Sequence, residues 1–394
     1  MQAVGIICEY NPFHRGHALH IARAREASGA PYVICAMSGA FTQRGVPARH
    51  DKWTRARAAL AGGADLVLEL PVRFACAGAQ EFAAGGVGLL SRLGVVSHLS
   101  FGCEAEALPM LGRAADALQR ETPAFADALQ TGLREGMSFP AARAAALLAA
   151  QPELESALSL PNAALALEYL QALPPEITPV PVPREGSGYH DSELTRISSA
   201  TAIRAAFERG DTQAALDAMP VPQLFADAEA RGDVCEEDAL SQALIARLRT
   251  LSPQELAAVH GIDEGLEFRF IAAAQRCASR RKLIETVKTR RYTWARLSRL
   301  CACTLLGVTH EFALAHPAPE YARILGFRRS AAPLLRDIHE RASIPVITKA
   351  ADFDHDHPLY ALDVRAQDLW QLGCTAPELR TGGRDFTTPP VIVD

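Results

Sequence analysis

The stretch of sequence that decides the fold lies near the start of the chain and reads Gly5-Ile6-Ile7-Cys8-Glu9-Tyr10-Asn11-Pro12-Phe13-His14-Arg15-Gly16-His17. Residues 3–8 form an apolar run that is typical of a buried strand, and Asn11-Pro12 interrupts it. A helix-forming stretch begins near His14 and continues through residues 18–24. This order predicts a strand, a break and a helix whose first turn carries two histidines.

The start of such a helix is suited to phosphate, because its free N–H groups and the positive end of its dipole attract anions. Gly16 has no Cβ where a nucleotide must approach the backbone. His14 and His17 can donate hydrogen bonds to phosphoryl oxygens that gain charge during transfer. A histidine at a helix start is otherwise an ordinary cap or a solvated side chain, which is an adequate interpretation of His20. The combination predicts a nucleotidyl-transfer site with His14 and His17 as its catalytic residues.

Short apolar strands alternate with helices over the first hundred residues, which is typical of a parallel sheet with helices on both faces. The pattern predicts further strands at 32–37, 66–70, 96–101 and 177–182, and helices at 53–61, 82–93 and within 108–173. Ligands of such sheets bind at the carboxyl ends of the strands. We therefore expect Ser38-Gly39 and Gly102-Cys103-Glu104 to share one cleft with His14.

The character of the sequence becomes mostly helical beyond Gly210, and Met219-Pro220-Val221-Pro222 is a plausible joint. We predict a Rossmann-like α/β domain of residues 1–215 that binds the nucleotide. A mostly helical C-terminal domain is predicted for residues 216–394.

Composition narrows the class of protein. Nearly half of the 394 residues are apolar, yet no run of them is long enough to span a membrane, and the N-terminus lacks the basic region of a signal peptide. Nine cysteines without paired spacing are typical of free thiols in a reducing compartment. We predict a cytoplasmic protein; the sequence does not determine its oligomeric state.

A hydroxyl-rich segment, residues 198–204, precedes another predicted helix. Its hydroxyls can cap the N–H groups of that helix, or they can bind phosphate oxygens while Arg204 neutralises charge. Both interpretations are open from the sequence.

A basic segment stands out in this chain of net charge −5. Residues 276–299 contain nine Lys or Arg residues and one acid, Glu285, with Tyr292 and Trp294 among them. Such a segment can be a solvated helix face with its side-chain stems on the core. We favour an interface with RNA or DNA, in which phosphate contacts supply affinity and the aromatic rings stack on unpaired bases. The predicted nucleic-acid contacts are Arg280, Arg281, Lys282, Arg290, Arg291 and Arg296.

Several motifs resemble those of the bacterial tRNA(Met) cytidine acetate ligases, which belong to the HxGH nucleotidyltransferase superfamily. The first is residues 9–17, quoted above. The others, spread over most of the chain, are Met37-Ser38-Gly39, Gln43-Arg44-Gly45, Asp51-Lys52-Trp53-Thr54-Arg55-Ala56, Glu69-Leu70-Pro71, Ser100-Phe101-Gly102, Leu160-Pro161-Asn162, Gly188-Tyr189-His190-Asp191, Arg290-Arg291-Tyr292-Thr293 and Leu325-Gly326-Phe327.

The resemblance implies an ATP-dependent ligase that acetylates the wobble cytidine of elongator tRNA(Met) to N4-acetylcytidine. Acetate would attack the α-phosphate of ATP, with Mg²⁺ assisting, to give acetyl-adenylate and pyrophosphate. The cytidine amine would then take the acetyl group and release AMP. The partners implied are ATP, acetate and tRNA, and no membrane.

The resemblance also implies which residues contact ATP. They are Ile7, Cys8, Glu9, Tyr10, Asn11, Pro12, Phe13, His14, Arg15, Gly16, His17, Ala18, Leu19, His20, Gly102, Asn162 and Arg184. Lys52, Arg184 and Arg204 are candidates for neutralising the leaving pyrophosphate, whereas the metal ligands cannot be named.

One departure from the superfamily pattern lies in its second phosphate motif, usually Ile-Ser-Ser-Thr-x-Ile-Arg. Ser198 stands at the Ile position and Ala200 at a Ser position, which leaves Thr201 and Arg204 as possible phosphate contacts.

Two rival functions follow from the same residues. One is an adenylyltransferase for a small phosphorylated metabolite, although such enzymes are usually much shorter than this chain. The other is an RNA-binding relative without catalysis, against which the intact His14, Gly16 and His17 argue.

Overall fold

The computed structural model describes residues 2–120, 122–160, 162–183 and 199–394. Within these residues eight strands form one sheet. The strands are β1 (Ala3–Cys8), β2 (Tyr32–Ser38), β3 (Leu66–Leu70), β4 (Val96–Gly102), β5 (Thr178–Val182), β6 (Ala322–Arg328), β7 (Val346–Ile347) and β8 (Val391–Val393).

The order of the strands determines where in the sheet a ligand cleft can lie. The sheet runs β5-β4-β1-β2-β3-β6-β7, with β8 paired to β6. The neighbours from β5 to β3 are parallel, whereas β3 and β6 are antiparallel. The chain moves from β1 to β2 and β3 on one side and returns to β4 on the other. Ligands of open sheets bind where the strand order reverses in this way, at the carboxyl ends of β1 and β4.

Helices cover both faces of the sheet and build the C-terminal part. They are α1 (Arg15–Ser28), α2 (Lys52–Ala61), α3 (Val72–Ala75), α4 (Ala79–Ser91), α5 (Leu108–Gln119), α6 (Pro123–Arg134), α7 (Phe139–Ala150), α8 (Glu155–Leu158), α9 (Ala163–Ala172), α10 (Ala200–Glu208), α11 (Thr212–Asp217), α12 (Pro222–Arg231), α13 (Ser241–Thr250), α14 (Pro253–Ala257), α15 (Leu266–Ala274), α16 (Arg280–Val287), α17 (Trp294–Leu306), α18 (His310–Ala315), α19 (Ala332–Arg341), α20 (Pro358–Leu372) and α21 (Arg384–Thr387). Short 3₁₀ turns lie at Ala105–Ala107, Pro152–Leu154, Arg329–Ala331, Ala350–Asp352 and Pro377–Leu379.

The predicted α/β architecture is confirmed over the first half of the chain. The predicted strands at 3–8 and 66–70 have the ends seen in β1 and β3, and the other predicted strands differ from the observed ones by one residue at an end. The predicted helix at 82–93 begins earlier, at Ala79, because its first turn is polar and lacks the apolar period on which the prediction depended.

Three strands of the C-terminal half were absent from the prediction. β6 pairs with β3, and β7 and β8 pair with β6. Strands of two and three residues are too short to show an alternating pattern, so β7 and β8 carry no periodic signal. Strands from both sides of the predicted domain boundary near residue 215 therefore belong to a single sheet.

A buried charge cluster joins the C-terminal segment to the edge of this sheet. It consists of Lys52 on α2, Glu69 on β3, Arg323 on β6 and Asp385 on α21, all buried. Lys52 Nζ lies 2.8 Å from a carboxylate oxygen of Glu69 and 2.8 Å from one of Asp385. Arg323 reaches the same two carboxylates at 3.1 and 3.0 Å. Two cations and two anions balance in this cluster, which holds α2, β3, β6 and α21 together.

Candidate active site

The two histidines of the first helical turn cap α1. His14 is the N-cap residue, and its Nδ1 accepts a hydrogen bond from the backbone N–H of Gly16 at 3.1 Å. Nδ1 of His17 accepts one from the backbone N–H of His14 at 3.3 Å. Because a backbone N–H can only donate, each neutral ring carries its proton on Nε2. The two rings stack with centroids 3.7 Å apart, so they form a pair of Nε2–H donors at the start of α1.

Aromatic residues pack against this histidine pair. Phe13 is fully buried, and the ring of Tyr10 lies 4.9 Å from Phe13 and 4.8 Å from His17. Burial raises the pKa of the Tyr10 hydroxyl and that of the Cys8 thiol, so both stay protonated at neutral pH. Cys8 is part of the core around β1, as the sequence indicated, and it also reaches the cavity wall.

Arg55 joins the carboxyl ends of β1 and β2. Its buried guanidinium donates to the carbonyls of Glu9 and Ser38, each at 2.8 Å, and to that of Gly39. Burial lowers the pKa of Arg55 to about 10, so it remains charged at neutral pH. Ser38-Gly39 lie against Arg55 and Glu69, and they are not part of the cavity wall, contrary to the expectation that they share the cleft.

A cavity of about 450 Å³ opens at the carboxyl ends of β1 and β4. Most of the residues that the sequence assigned to ATP line it, together with both hydroxyl-segment candidates. These are Ile7, Cys8, Glu9, Tyr10, Asn11, Gly16, His17, Leu19, His20, Gly102, Asn162, Thr201 and Arg204.

Some predicted ATP residues lie beside the cavity and not in its wall. Pro12 and Phe13 are buried, and Arg15 is exposed. Ala18 is partly buried and packs on the core around β1. His14 does not line the cavity, but its ring stacks on that of His17, which does. Arg184, like Ser198 and residues 188–191 of the resemblance, lies outside the described residues.

Lys52 is not brought to the cavity. Its ammonium is buried between the carboxylates of Glu69 and Asp385, so the structure does not bring this predicted phosphate contact to the cavity wall. The sequence could not show this arrangement, since Asp385 is far from Lys52 along the chain.

The helix start at α10 combines both interpretations of the hydroxyl-rich segment. Ser199 is the N-cap, and its hydroxyl accepts from the backbone N–H of Ala202 at 3.1 Å. Ser199 also lines the cavity, together with Thr201 and Arg204. Arg204 Nη1 donates to the carbonyl of Asn11 at 2.6 Å, which joins α10 to the turn before the histidine pair.

Sequence reasoning missed two parts of the wall. One is the segment from Thr42 to Val46, of which Gln43-Arg44 was noted only as a family motif. The backbone N–H of Gln43 donates to Glu9 Oε1 at 2.7 Å, which joins this segment to the end of β1. The other is an apolar side made by Phe82, Phe101, Leu165, Ala166, Tyr169 and Val182. Its members are far apart in sequence, so only the fold collects them into a face suited to a flat base.

The basic segment divides into buried and exposed residues. Arg280 is buried, with its guanidinium 3.1 Å from Glu237, so the structure does not place this predicted tRNA contact at the surface. Tyr292 is also buried, and its hydroxyl donates to Glu264 at 3.0 Å, which excludes base stacking. Most of the other predicted tRNA residues have acidic neighbours: Arg281 near Asp238, Lys282 near Glu285, Arg291 near Glu264 and Arg296 near Asp263. Arg281, Lys282 and Arg290 are exposed.

Comparison with known proteins decides the family. The model of the HIGH Nucleotidyl Transferase family matches residues 1–385. Proteins named tRNA(Met) cytidine acetate ligase are 35% identical, from Acetivibrio thermocellus over 100% of both chains and from Syntrophomonas wolfei over 99% of both. This chain belongs to the HIGH nucleotidyltransferase family, among the tRNA(Met) cytidine acetate ligases.

Solved structures of the family have the same fold. Thermotoga maritima TmcAL bound with alpha-thio ATP is 32% identical over 100% of both chains, with a TM-score of 0.90. Its apo form superimposes with a TM-score of 0.92. The described residues of this chain therefore have the fold of these structures, a mostly parallel nucleotidyltransferase sheet with helices. In the part of the chain that the structure describes, no helix has both the length and the apolar character needed to cross a membrane.

Proposed function

We propose that this chain is an ATP-dependent ligase that activates acetate as acetyl-adenylate and acetylates the wobble cytidine of elongator tRNA(Met) to N4-acetylcytidine. The observation that carries the proposal is the stacked pair of helix-capping histidines, His14 and His17, of which His17 lines a cavity large enough for a nucleotide. The membership of the ligase family supports the choice of substrates. The cytoplasm, where ATP and tRNA occur together, is the proposed location.

In the first step a carboxylate oxygen of acetate forms a bond to the α-phosphorus of ATP, and the bond from that phosphorus to the β-bridging oxygen breaks. Negative charge grows on the α-phosphoryl oxygens and on the leaving pyrophosphate. Two fixed N–H donors stabilise the first of these charges without having to reorganise, which is the main source of catalysis in such sites. Arg204, half-buried in the wall, is placed to neutralise the second.

In the second step the N4 amine of cytidine attacks the acetyl carbonyl. A carbon–nitrogen bond forms, the bond between the acetyl carbon and the AMP oxygen breaks, and the amine loses a proton. No cysteine nucleophile is required, in keeping with the burial of all nine cysteines of the chain, each of which the structure describes.

We propose that ATP lies along residues 7–20, with Gly102 and Asn162 on the opposite wall and Arg184 completing the set. The absence of a Cβ at Gly102 permits close approach at the end of β4. Asn162 is the N-cap residue of α9, with a left-handed φ of 68°, and it lines the same cavity.

Mg²⁺ fits as an ion that arrives with the triphosphate. Among the described residues no cluster of three or more His, Cys, Asp or Glu side chains could hold a metal alone. Mg²⁺ commonly uses few protein ligands and takes the rest from phosphates and water. When bound it would supply further neutralisation of the phosphoryl oxygens.

Exchange of radiolabelled pyrophosphate into ATP tests the proposal. We expect exchange that depends on acetate, and N4-acetylcytidine in tRNA nucleosides by mass analysis once tRNA is added. Exchange only with a phosphorylated metabolite would support the adenylyltransferase alternative. Binding of tRNA without any exchange would support a catalytically silent RNA-binding relative.

The exposed part of the basic segment is the proposed tRNA surface. Changing Arg290 and Arg291 together to glutamate should weaken tRNA binding by about tenfold or more and reduce the slope of log K against log salt by about 1–2, because phosphate contacts release counterions. Filter binding at several salt concentrations measures both quantities. The control is a charge-matched double variant in which Arg120 and Arg134, exposed at the ends of α5 and α6, are changed to glutamate. If the two double variants bind tRNA with equal affinity and equal salt slope, residues 276–299 are a solvated helix face and not a tRNA surface.

A further inference from the structure

The cavity segment 42–46 is supported by helix α17 of the C-terminal part. The hydroxyl of Ser298 donates to the carbonyl of Arg44, and the carbonyl of Gly45 lies 3.3 Å away. Gly45 has a φ of +71°, and a Cβ there would meet the backbone nitrogen of Arg299 at 2.5 Å. The backbone of this segment is therefore packed directly on the backbone of α17.

Arg280 completes the contact from helix α16. One guanidinium nitrogen donates to the Ser298 hydroxyl, and the other lies 3.1 Å from Glu237. Ser298 and Arg280 are both buried, at 1% and 5% exposure. Since the hydroxyl has a single proton, the guanidinium N–H directs that proton toward the loop carbonyls.

On the other side, the same loop reaches the start of the catalytic turn. The backbone N–H of Gln43 donates to Glu9 Oε1 at 2.7 Å, and Gln43 and Arg44 both line the cavity. A chain of hydrogen bonds thus runs from Glu237 through Arg280 and Ser298 to the loop and on to Glu9. The neighbour Arg281, next to Arg280 on α16, is exposed and belongs to the proposed tRNA surface.

We propose that Ser298 and Arg280 are positioning residues, which hold the loop 42–46 in the geometry that binds ATP. This proposal rests on the proposed function, because it assigns these C-terminal helices a role in nucleotide binding as well as in tRNA binding. It also gives Arg280 a role in place of the tRNA contact that its burial excludes.

Ser298→Ala should raise the Kd of a non-hydrolysable ATP analogue by about tenfold, since it leaves the buried Arg44 carbonyl and one guanidinium nitrogen of Arg280 without their partner and frees the loop. Ser298→Thr retains the hydroxyl and should restore most of the affinity. Affinity for tRNA alone should stay within twofold of wild type in both variants. Calorimetric titration and filter binding measure these values.

Thr304→Val is the matched control. Thr304 lies on the same helix and is equally buried, but its hydroxyl donates to the carbonyl of Leu300, within α17, at 2.8 Å. Its loss should leave the analogue Kd unchanged, and thermal midpoints recorded for all variants separate loss of fold from loss of binding. Wild-type affinity in folded Ser298→Ala would overturn the proposal.

Arg280→Lys provides a second route, because a single ammonium cannot serve Glu237 and the hydroxyl with the planar geometry of a guanidinium. If Ser298→Ala does not fold, weakened analogue binding by Arg280→Lys supports the proposal. Normal binding by that variant, or failure of both variants to fold, assigns the contact to folding alone and overturns it. Analogue binding requires neither acetate nor tRNA, so its outcome stays distinct from failure of the ligase activity.

Discussion

Replacing either His14 or His17 by asparagine is expected to slow acetyl-adenylate formation by about a hundredfold or more while the fold is retained. Each Nδ1 accepts a backbone N–H of the first helical turn, and the oxygen of an asparagine can take over that role. Asparagine does not reach the position of Nε2, so the donor to the phosphoryl oxygen is lost. Acetate-dependent pyrophosphate exchange measures the rate, and thermal unfolding reports the cap.

The alanine variants separate the two roles. His14→Ala and His17→Ala lose both the donor and the cap, so we expect the same fall in rate together with a loss of about 1 kcal/mol of stability. Exchange within a few-fold of wild type in the asparagine variants would remove the imidazoles from the chemistry and leave them as helix caps.

Lys52→Met is expected to lower the free energy of unfolding by about 3–5 kcal/mol. The substitution leaves Glu69 and Asp385, both buried, with Arg323 as the cation they share. Although burial opposes it, the charges of Lys52 and Arg323 lower the pKa of Asp385 in the wild-type protein. Without Lys52, two buried carboxylates share one cation, and either the unbalanced charge or the protonation that removes it costs stability. Urea unfolding measures the loss, and ATP-analogue affinity of the folded variant should not change.

Two further variants sharpen this test. Lys349→Met removes an exposed lysine and should change stability by less than about 0.5 kcal/mol. Adding Asp385→Asn to Lys52→Met restores neutrality, and the double variant should be more stable than the sum of the single losses implies. Weaker nucleotide binding by Lys52→Met at unchanged stability would instead make Lys52 a phosphate contact after all.

The N-terminal site was predictable because its chemistry is local. Strand, break, histidine cap and helix follow one another within about twenty residues, and each has its own sequence signal. The apolar wall was not predictable, since Phe82, Phe101 and Tyr169 come from three separate elements. The loop at Gln43-Arg44 was visible as a motif, but its contact with Glu9 required the folded backbone.

The basic segment shows the limit of counting charges along a chain. One acid lies within it, yet Asp238, Asp263 and Glu264 approach it from other elements. Arg280 and Arg281 are adjacent in sequence, but the first is buried and the second is exposed. Helical geometry turns successive residues by about 100°, so neighbours in sequence face different surroundings.

The sequence by itself determined the class of sheet, the start of the first helix and the histidine pair, because short-range patterns specify them. Only the tertiary structure decided that Lys52 and Arg280 are buried and that three C-terminal strands extend the N-terminal sheet. The physical reason is the same in each case: Asp385, Glu237 and β3 are remote in sequence from the groups they meet, and a charge or strand acquires its role from its partner.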